Sequence, residues 1–182
     1  TISSFSIAKY EVTYELWYIV YQWALSHNYT FQNMGREGSD GAYGNAPTSD
    51  KYKPVTNINW RDAIVWCNAY SEMVGLDPVY TYMSAPIRDS KDANATACDN
   101  VTSGWINNGY RLPTEGEWQF AASYIDTTYW TLSTYASGAA TSSGQDDVAW
   151  YNANSGGKTH EVGTKNANAL GIYDMSGNVW EW

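Results

Sequence analysis

The chain has 182 residues, of which 43% are hydrophobic, enough for one domain with a sizeable core and too few for two full domains. Its formal net charge of −9 disfavours nucleic acids and anionic membrane surfaces as partners, because both attract lysine and arginine. The sequence contains no apolar run of about 18 residues, so it predicts no transmembrane segment, and no signal peptide is recognisable at its start.

Aromatic and sulfur-containing residues set the next expectations. The chain has 10 Trp and 16 Tyr but 3 Phe, which indicates a core of large hydrogen-bonded rings or a ring-rich binding face. The two cysteines are too few for a disulfide framework. Cys67 lies in an apolar helical pattern and is expected to be a buried, inert thiol. Cys98 lies in a polar stretch, where it is either free or paired.

The first residues predict a strand followed by a helix. Residues 5–12 alternate apolar and polar side chains, which is typical of a half-buried strand. Thr13 is a candidate N-cap, and Glu15 lies in the first turn, where the helix dipole favours an anion. The predicted buried stripe of this helix consists of Leu16, Ile19, Val20, Trp23 and Ala24.

A second helix is predicted after a polar loop that covers residues 33–54. Asn59 is its candidate N-cap, with Asp62 three residues further on. Gly75 is expected to end the helix, because glycine adopts the left-handed conformation that closes many helices.

One more helix is predicted among irregular segments. Residues 79–82 indicate a short strand, and residues 88–104 a polar excursion on the protein surface. Thr114 and Glu117 have the spacing of a capping box, in which each side chain bonds the other's backbone N–H. The stripe that follows consists of Trp118, Ala121, Ala122 and Ile125. From residue 131 onward, small, polar and turn-forming residues predict loops.

Three segments, in this order and spacing, resemble the formylglycine-generating-sulfatase family. They are YEVT at residues 10–13, KPVTNINW at 53–60 continued by YRLPTEGEW at 110–118, and NALGIYDMSGNVWEW at 168–182. The resemblance implies an α+β, irregular C-type lectin fold of the formylglycine-generating-enzyme type, loop-rich, with helices packed on a small twisted antiparallel sheet. Residues 1–182 are then expected to form a single such domain that lacks its C-terminal part.

A calcium site is implied by the same resemblance. In the family's oxidases calcium is held by the loop that matches residues 173–182 here. The ligands carried over are the side chains of Asp174 and Glu181 and the backbone carbonyls of Gly177 and Val179. Carboxylate and carbonyl oxygens are the ligands that calcium prefers. The alternative is that the two carboxylates cap turns and pair with Arg111 or Lys165.

Catalysis is not expected from this chain. The family's oxidases bind copper through a pair of thiolates beyond the segment that ends here at Trp182, and Cys67 and Cys98 match neither position, so we expect no copper. Two isolated histidines, His27 and His160, cannot supply the histidine cluster of the family's iron-dependent members.

The leading hypothesis is therefore a non-catalytic protein that binds or displays a ligand. It resembles the variable proteins of diversity-generating retroelements, which use this lectin scaffold. That resemblance implies export to the cell surface or periplasm and, as partner, an unknown protein or cell-surface ligand. The alternative is a truncated formylglycine-generating oxidase, which converts a sulfatase cysteine to formylglycine.

Tryptophans divide into two groups by their place in the pattern. Six on helices or motifs are expected to be buried: Trp17, Trp23, Trp60, Trp66, Trp118 and Trp180. Four aromatic residues in predicted loops are candidates for a ligand-binding face: Trp105, Trp130, Trp150 and Tyr151. Packing into the core is the alternative for these four.

Overall fold

Short helices and very short strands, joined by long loops, make up the computed structural model, which describes residues 3–104, 107–132 and 134–182. The α-helices are α1 (Tyr14–Leu25), α2 (Trp60–Met73), α3 (Ala95–Asp99), α4 (Glu115–Ser123) and α5 (Gln145–Val148). The strands are β1 (Arg36–Glu37), β2 (Val55–Thr56), β3 (Tyr80–Tyr82), β4 (Ala85–Pro86) and β5 (Thr102–Ser103). The predicted α+β, loop-rich fold is confirmed.

Two small antiparallel sheets accompany the helices. In the first, β1 pairs with β2, with Arg36 opposite Thr56. In the second, the order is β4-β3-β5, and Thr81 of the central strand lies opposite Pro86 on one side and Thr102 on the other. Strands this short bury little surface by themselves, so the main core lies between α1 and α2.

Helix α1 begins where the sequence predicts, but only part of the predicted stripe is buried: Val20 and Ala24 are, and Ile19 is not. The Thr13 hydroxyl accepts a hydrogen bond from the Leu16 N–H at 3.2 Å, which confirms the cap. Ile19, placed in the predicted stripe, is 51% exposed. The ring of Trp17 instead stacks on Trp66 of α2, with centroids 5.6 Å apart, because aromatic rings bury more area than the aliphatic side chains beside them. The buried face consists of Tyr14, Trp17, Val20, Tyr21 and Ala24.

The strand predicted at residues 5–12 is not formed. This segment, hereafter the N-terminal segment, makes single backbone hydrogen bonds to two different neighbours. The carbonyl of Val12 accepts from the N–H of Val55 at 2.9 Å, and that of Lys9 from the N–H of Tyr173 at 3.0 Å. Its alternation of side chains therefore reflects two faces with different neighbours and not a ladder.

Helix α2 confirms both of its predicted ends. Asn59 and Asp62 form a reciprocal capping box. Gly75 has a φ of +79°, and the N–H of Leu76 bonds the carbonyl of Ser71 at 2.8 Å, which closes the last turn.

Two fully buried polar side chains of α2 hold loops that have little secondary structure of their own. The Asp62 carboxylate accepts from the N–H groups of Gln32 and Asn33 and from the hydroxyl of Ser90. The Asn68 amide accepts from the N–H of Tyr80 and donates to its carbonyl and to that of Ile87. Each side chain thus satisfies backbone groups that would otherwise be buried without partners.

The polar excursion predicted over residues 88–104 is only partly on the surface. It contains a 3-10 turn at Asp92–Asn94, α3 and β5, and α3 packs against α2. Cys98 is completely buried there. Both cysteines are free thiols, which resolves the alternatives left open for Cys98 and confirms Cys67 as buried.

Helix α4 begins with the predicted capping box of Thr114 and Glu117. Arg111 reinforces it with two hydrogen bonds of 2.7 Å to the Glu117 carboxylate. This pairing lowers the pKa of Glu117 to about 2. Ile125, assigned to the predicted stripe, lies beyond the helix end and is 42% exposed. Residues 149–182, all described, form irregular loops as predicted, whereas a 3-10 turn at Ser142–Gly144 and α5 interrupt the loop predicted from residue 131.

We expect Asn68→Ala to destabilise the fold strongly. The change removes three hydrogen bonds to the buried backbone of Tyr80 and Ile87, and each lost bond of this kind costs about 1–3 kcal/mol. Chemical denaturation should report a loss of at least about 3 kcal/mol. Asn152→Ala, an exposed asparagine, is the control. Equal stabilities of the two variants would contradict this role for Asn68.

Glu117 should make stability depend on acid pH. Because its pKa is lowered below the usual value of about 4.5, its stabilisation is present above that pH and is lost as the pH falls towards 2. Between pH 5 and 2, Glu117→Gln should lose about 2–3 kcal/mol less than the wild type. Denaturation at several pH values measures this, with the exposed neighbour Glu115→Gln as control. Parallel stability curves for wild type and Glu117→Gln would refute it.

Candidate functional site

The loop of residues 173–182, hereafter the terminal loop, carries the predicted metal ligands. Asp174 is 2% exposed and has a φ of +57°. One carboxylate oxygen, Oδ2, accepts from the N–H of Gly163 at 2.6 Å. The other, Oδ1, is buried and has no hydrogen-bond partner in the described part of the chain. A buried carboxylate oxygen without a partner is costly unless a cation or a donor meets it.

A glycine is required in the middle of this loop. Gly177 has a φ of +92°, and a Cβ atom there would lie 2.1 Å from the carbonyl oxygen of Trp150. The same carbonyl accepts from the N–H of Asn178 at 2.8 Å. The backbone at Gly177 therefore approaches its neighbour more closely than any side chain permits.

Asn178 and Glu11 fasten the terminal loop to two distant parts of the chain. The Asn178 amide donates to the Glu11 carboxylate at 2.7 Å, and it accepts from the N–H of His160 at 2.9 Å. The second oxygen of Glu11 accepts from the N–H of Val179 at 3.4 Å. Glu11 belongs to the N-terminal segment, so the first and last parts of the chain meet at this loop.

Three carboxyl groups share this region. Burial, and then the charges of Asp174 and Glu181, raise the pKa of Glu11 to about 9. Burial also raises the pKa of Asp174. Glu181 is exposed as a whole residue, but its carboxyl accepts a hydrogen bond from the indole N–H of Trp118. Burial of this carboxyl raises its pKa as well. This arrangement disfavours the ionised form of the three carboxyl groups unless a cation meets them.

The two cations considered as alternative partners are engaged with other groups. Arg111 pairs with Glu117, as described above. Lys165 donates to the backbone carbonyl of Asp146, and its ammonium lies 4.0 Å from the centre of the Trp150 ring.

The residues present fit a hard cation such as calcium. Within the described part of the chain they offer a buried carboxylate oxygen without a partner, a tight glycine turn and several neighbouring carboxyl groups. Among the described residues, no three His, Cys, Asp or Glu side chains are placed to hold a metal. Backbone carbonyls would have to complete the coordination, as the resemblance implies for Gly177 and Val179. Calcium at this loop therefore stays a prediction.

The candidate ligand-face residues fall into separate groups. The Trp150 ring stacks on His160 with centroids 3.7 Å apart, and its N–H donates to Thr164, so much of it serves internal packing. Tyr151 is 37% exposed, and its hydroxyl donates to Asp146 at 2.6 Å. Trp105 lies outside the described residues.

Trp130 belongs to a different cluster at the end of α4. Its ring meets Phe120 and Tyr124 edge-on, with centroids 5.3 and 5.6 Å away. It nevertheless remains 45% exposed. Among the three described candidates, Trp130 thus combines fixed packing with an exposed surface most clearly.

Trp180 corrects one prediction. Its motif position suggests a buried ring, but the side chain is 99% exposed at the mouth of a groove of about 640 Å³. The groove is lined by parts of the N-terminal segment, including Glu11, and by parts of α2 and the terminal loop. Trp118 of α4 lines it as well. Glu11 was not predicted as a site residue, although its charge within a segment expected to be half-buried is a signal that could have identified it.

Among the described residues, no helix is long and apolar enough to cross a membrane.

Comparisons with known proteins agree with this architecture. Chaperone protein LppX of Paenibacillus barcinonensis is 37% identical over a 200-residue alignment that covers 100% of this chain and 62% of that protein. The crystal structure of CarF superposes with a TM-score of 0.78 at 31% identity, covering 97% of this chain and 66% of CarF. Treponema denticola variable protein 1 gives a TM-score of 0.70 at 32% identity, covering 95% and 61%.

The chain thus spans less than two thirds of the length of each of these three proteins. The family described as "Sulfatase-modifying factor enzyme 1-like domain" matches residues 1–182. The chain belongs to this family, the formylglycine-generating type of C-type lectin fold.

Proposed function

We propose that this chain is the scaffold part of a non-catalytic binding protein whose ligand is another polypeptide, and that it acts at the cell surface or in the periplasm. Two relatives support a role of this kind. One is named a chaperone, a class of protein that acts by binding other polypeptides, and one is named a variable protein.

The two thiols support a non-catalytic role for these 182 residues. Burial raises the pKa of Cys67 to about 12 and that of Cys98 to about 11. A thiol acts as nucleophile or metal ligand only as the thiolate, so neither cysteine is prepared to bind copper or to react at neutral pH.

The observation that carries the proposal is the exposed aromatic surface at the end of α4. Its exposed side chains are Tyr129, Trp130 and Leu132, and the partly buried rings of Phe120 and Tyr124 pack against Trp130. Tyr129 is 66% exposed and Leu132 64%, next to the half-open ring of Trp130. Exposed groups of large rings on a soluble protein are typical of binding surfaces.

The backbone holds this surface in one conformation. Tyr124 and Trp130 form an antiparallel bridge, and the N–H of Ile125 donates to the carbonyl of Tyr129 at 3.1 Å. The Asp126 carboxylate accepts from the N–H groups of Thr128 and Tyr129 at 2.8 and 3.0 Å. A ring surface that is already ordered loses little conformational entropy when it binds a ligand.

The aromatic surface should bind unfolded polypeptide. We expect the wild type to suppress the aggregation of insulin after its disulfides are reduced, measured by light scattering. The double change Tyr129→Ser with Trp130→Ala should raise the concentration needed for half-suppression about ten-fold or more, because truncating central aromatic contacts costs about 2 kcal/mol.

The matched control is Met83→Ser, which removes an apolar side chain that is 83% exposed on the β3–β4 turn. It should protect insulin as well as the wild type does. A wild type that gives no protection, or a double variant that protects equally well, would contradict the proposed binding surface.

Calcium is the second part of the proposal, as a structural ion in the terminal loop. Asp174, Gly177, Val179 and Glu181 would hold it, and when bound it would neutralise the carboxylates and fix the loop. The partnerless oxygen of Asp174 is the observation that supports this assignment.

Calcium should raise the melting temperature of the wild type, because a ligand at 100 times its Kd stabilises by about 2.7 kcal/mol. Asp174→Asn combined with Glu181→Gln should abolish this increase, whereas Asp77→Asn at an exposed position should retain it. Differential scanning calorimetry with calcium and with a chelator measures the effect. An unchanged melting temperature of the wild type would refute calcium binding.

Two further candidates have specific discriminators. The match to the variable protein favours display of a diversified surface, which would appear as clustered sequence differences among copies of the coding region. The family match keeps open a formylglycine-generating oxidase, whose test is conversion of a sulfatase-motif cysteine in the presence of copper.

A further inference from the structure

The terminal loop depends on one residue that lies far from it in sequence. Glu11 accepts hydrogen bonds from the Asn178 amide at 2.7 Å and from the Val179 N–H at 3.4 Å. These two residues follow Gly177 directly, so Glu11 contacts the part of the backbone that carries both proposed carbonyl ligands. We propose that Glu11 is a positioning residue for the calcium site, an inference that rests on the calcium binding proposed above.

Glu11 acts through the loop and does not bind the metal itself. Each of its two carboxylate oxygens already accepts a hydrogen bond from the loop. Within the described residues, Glu11, Asp174 and Glu181 do not form a group of side chains placed to hold a metal. Mutation of outer residues that orient ligands in this way commonly changes metal affinity about ten- to a hundred-fold.

The segment that carries Glu11 is itself fixed on both sides. Two residues before it, the Lys9 carbonyl accepts from the N–H of Tyr173 at the start of the terminal loop. One residue after it, the Val12 carbonyl accepts from the N–H of Val55 in β2. The position of the terminal loop therefore depends, through Glu11, on the first sheet and on α1, which follows the N-terminal segment.

Calcium affinity, measured apart from stability, separates a positioning role from a merely structural one. We expect Glu11→Gln to bind calcium about ten-fold more weakly than the wild type, because one carboxylate oxygen becomes an NH2 group that cannot accept its hydrogen bond from the loop. Glu11→Ala, which removes the acceptor as well as the charge, should bind more weakly still. Glu15→Gln, a charge change four residues away, should match the wild type in affinity.

Terbium luminescence gives a readout that does not depend on stability. Trp118 donates to Glu181, and Trp180 adjoins it, so either indole can sensitise emission from a terbium ion that replaces calcium in the loop. Titration with terbium, followed by displacement with calcium, measures the affinity of each variant. Isothermal calorimetry with calcium alone provides a second measurement.

The outcomes distinguish the two proposals. If the wild type binds neither ion, calcium binding fails, and the role of Glu11 fails with it. If the wild type binds and both Glu11 variants bind equally well, only the positioning role is refuted. If Glu11→Gln lowers the calcium-free melting temperature and leaves affinity unchanged, Glu11 is structural. Should Glu11→Ala fail to fold, the comparison of Glu11→Gln with Glu15→Gln still decides.

Discussion

Buried backbone groups without a helix or sheet partner are the constraint on which this fold depends. Most of the chain is loop, yet many loop N–H and C=O groups lie inside the molecule, where an unmade hydrogen bond is costly. The side chains that meet this demand include Asp62, Asn68, Asn168, Asp174 and Asn178. Asn168, for example, donates to the carbonyl of Ala121 and accepts from the N–H groups of Leu170 and Ile172. Amide and carboxylate side chains thus supply the backbone hydrogen bonds that neighbouring strands supply in other folds.

The same side chains give the loops a defined shape, and this shape makes a site possible. The terminal loop accepts positive φ at Asp174 and Asn178, which Asp and Asn tolerate better than most residues. Its contacts reach Glu11 and His160, so its geometry depends on the whole domain. A loop held in this way can present carbonyl and carboxylate oxygens to one point, which is what an oxygen-coordinated ion requires.

Features that depend on a few neighbouring residues were predictable from the sequence, and features that depend on tertiary packing were not. The caps at Thr13, Asn59 and Thr114 follow from local chemistry and are confirmed. The buried face of α1 depends on which rings α2 offers, so periodicity alone could not choose it. Glu11 and Asn178 meet across 167 positions, and no local pattern announces such a contact. The family motifs located the terminal loop, whereas its connection to the N-terminal segment required the structure.

Native-state hydrogen exchange tests the central claim most directly, namely that side chains order these loops as firmly as helices are ordered. The informative amides donate to side chains and lie outside regular helices: Gln32, Tyr80, Gly163 and Ile172. The account predicts that they exchange with free energies close to those of the core amides of α2, through global unfolding. Exchange as fast as that of the exposed turn at Gly156 would show that the loops open independently, and it would contradict the account.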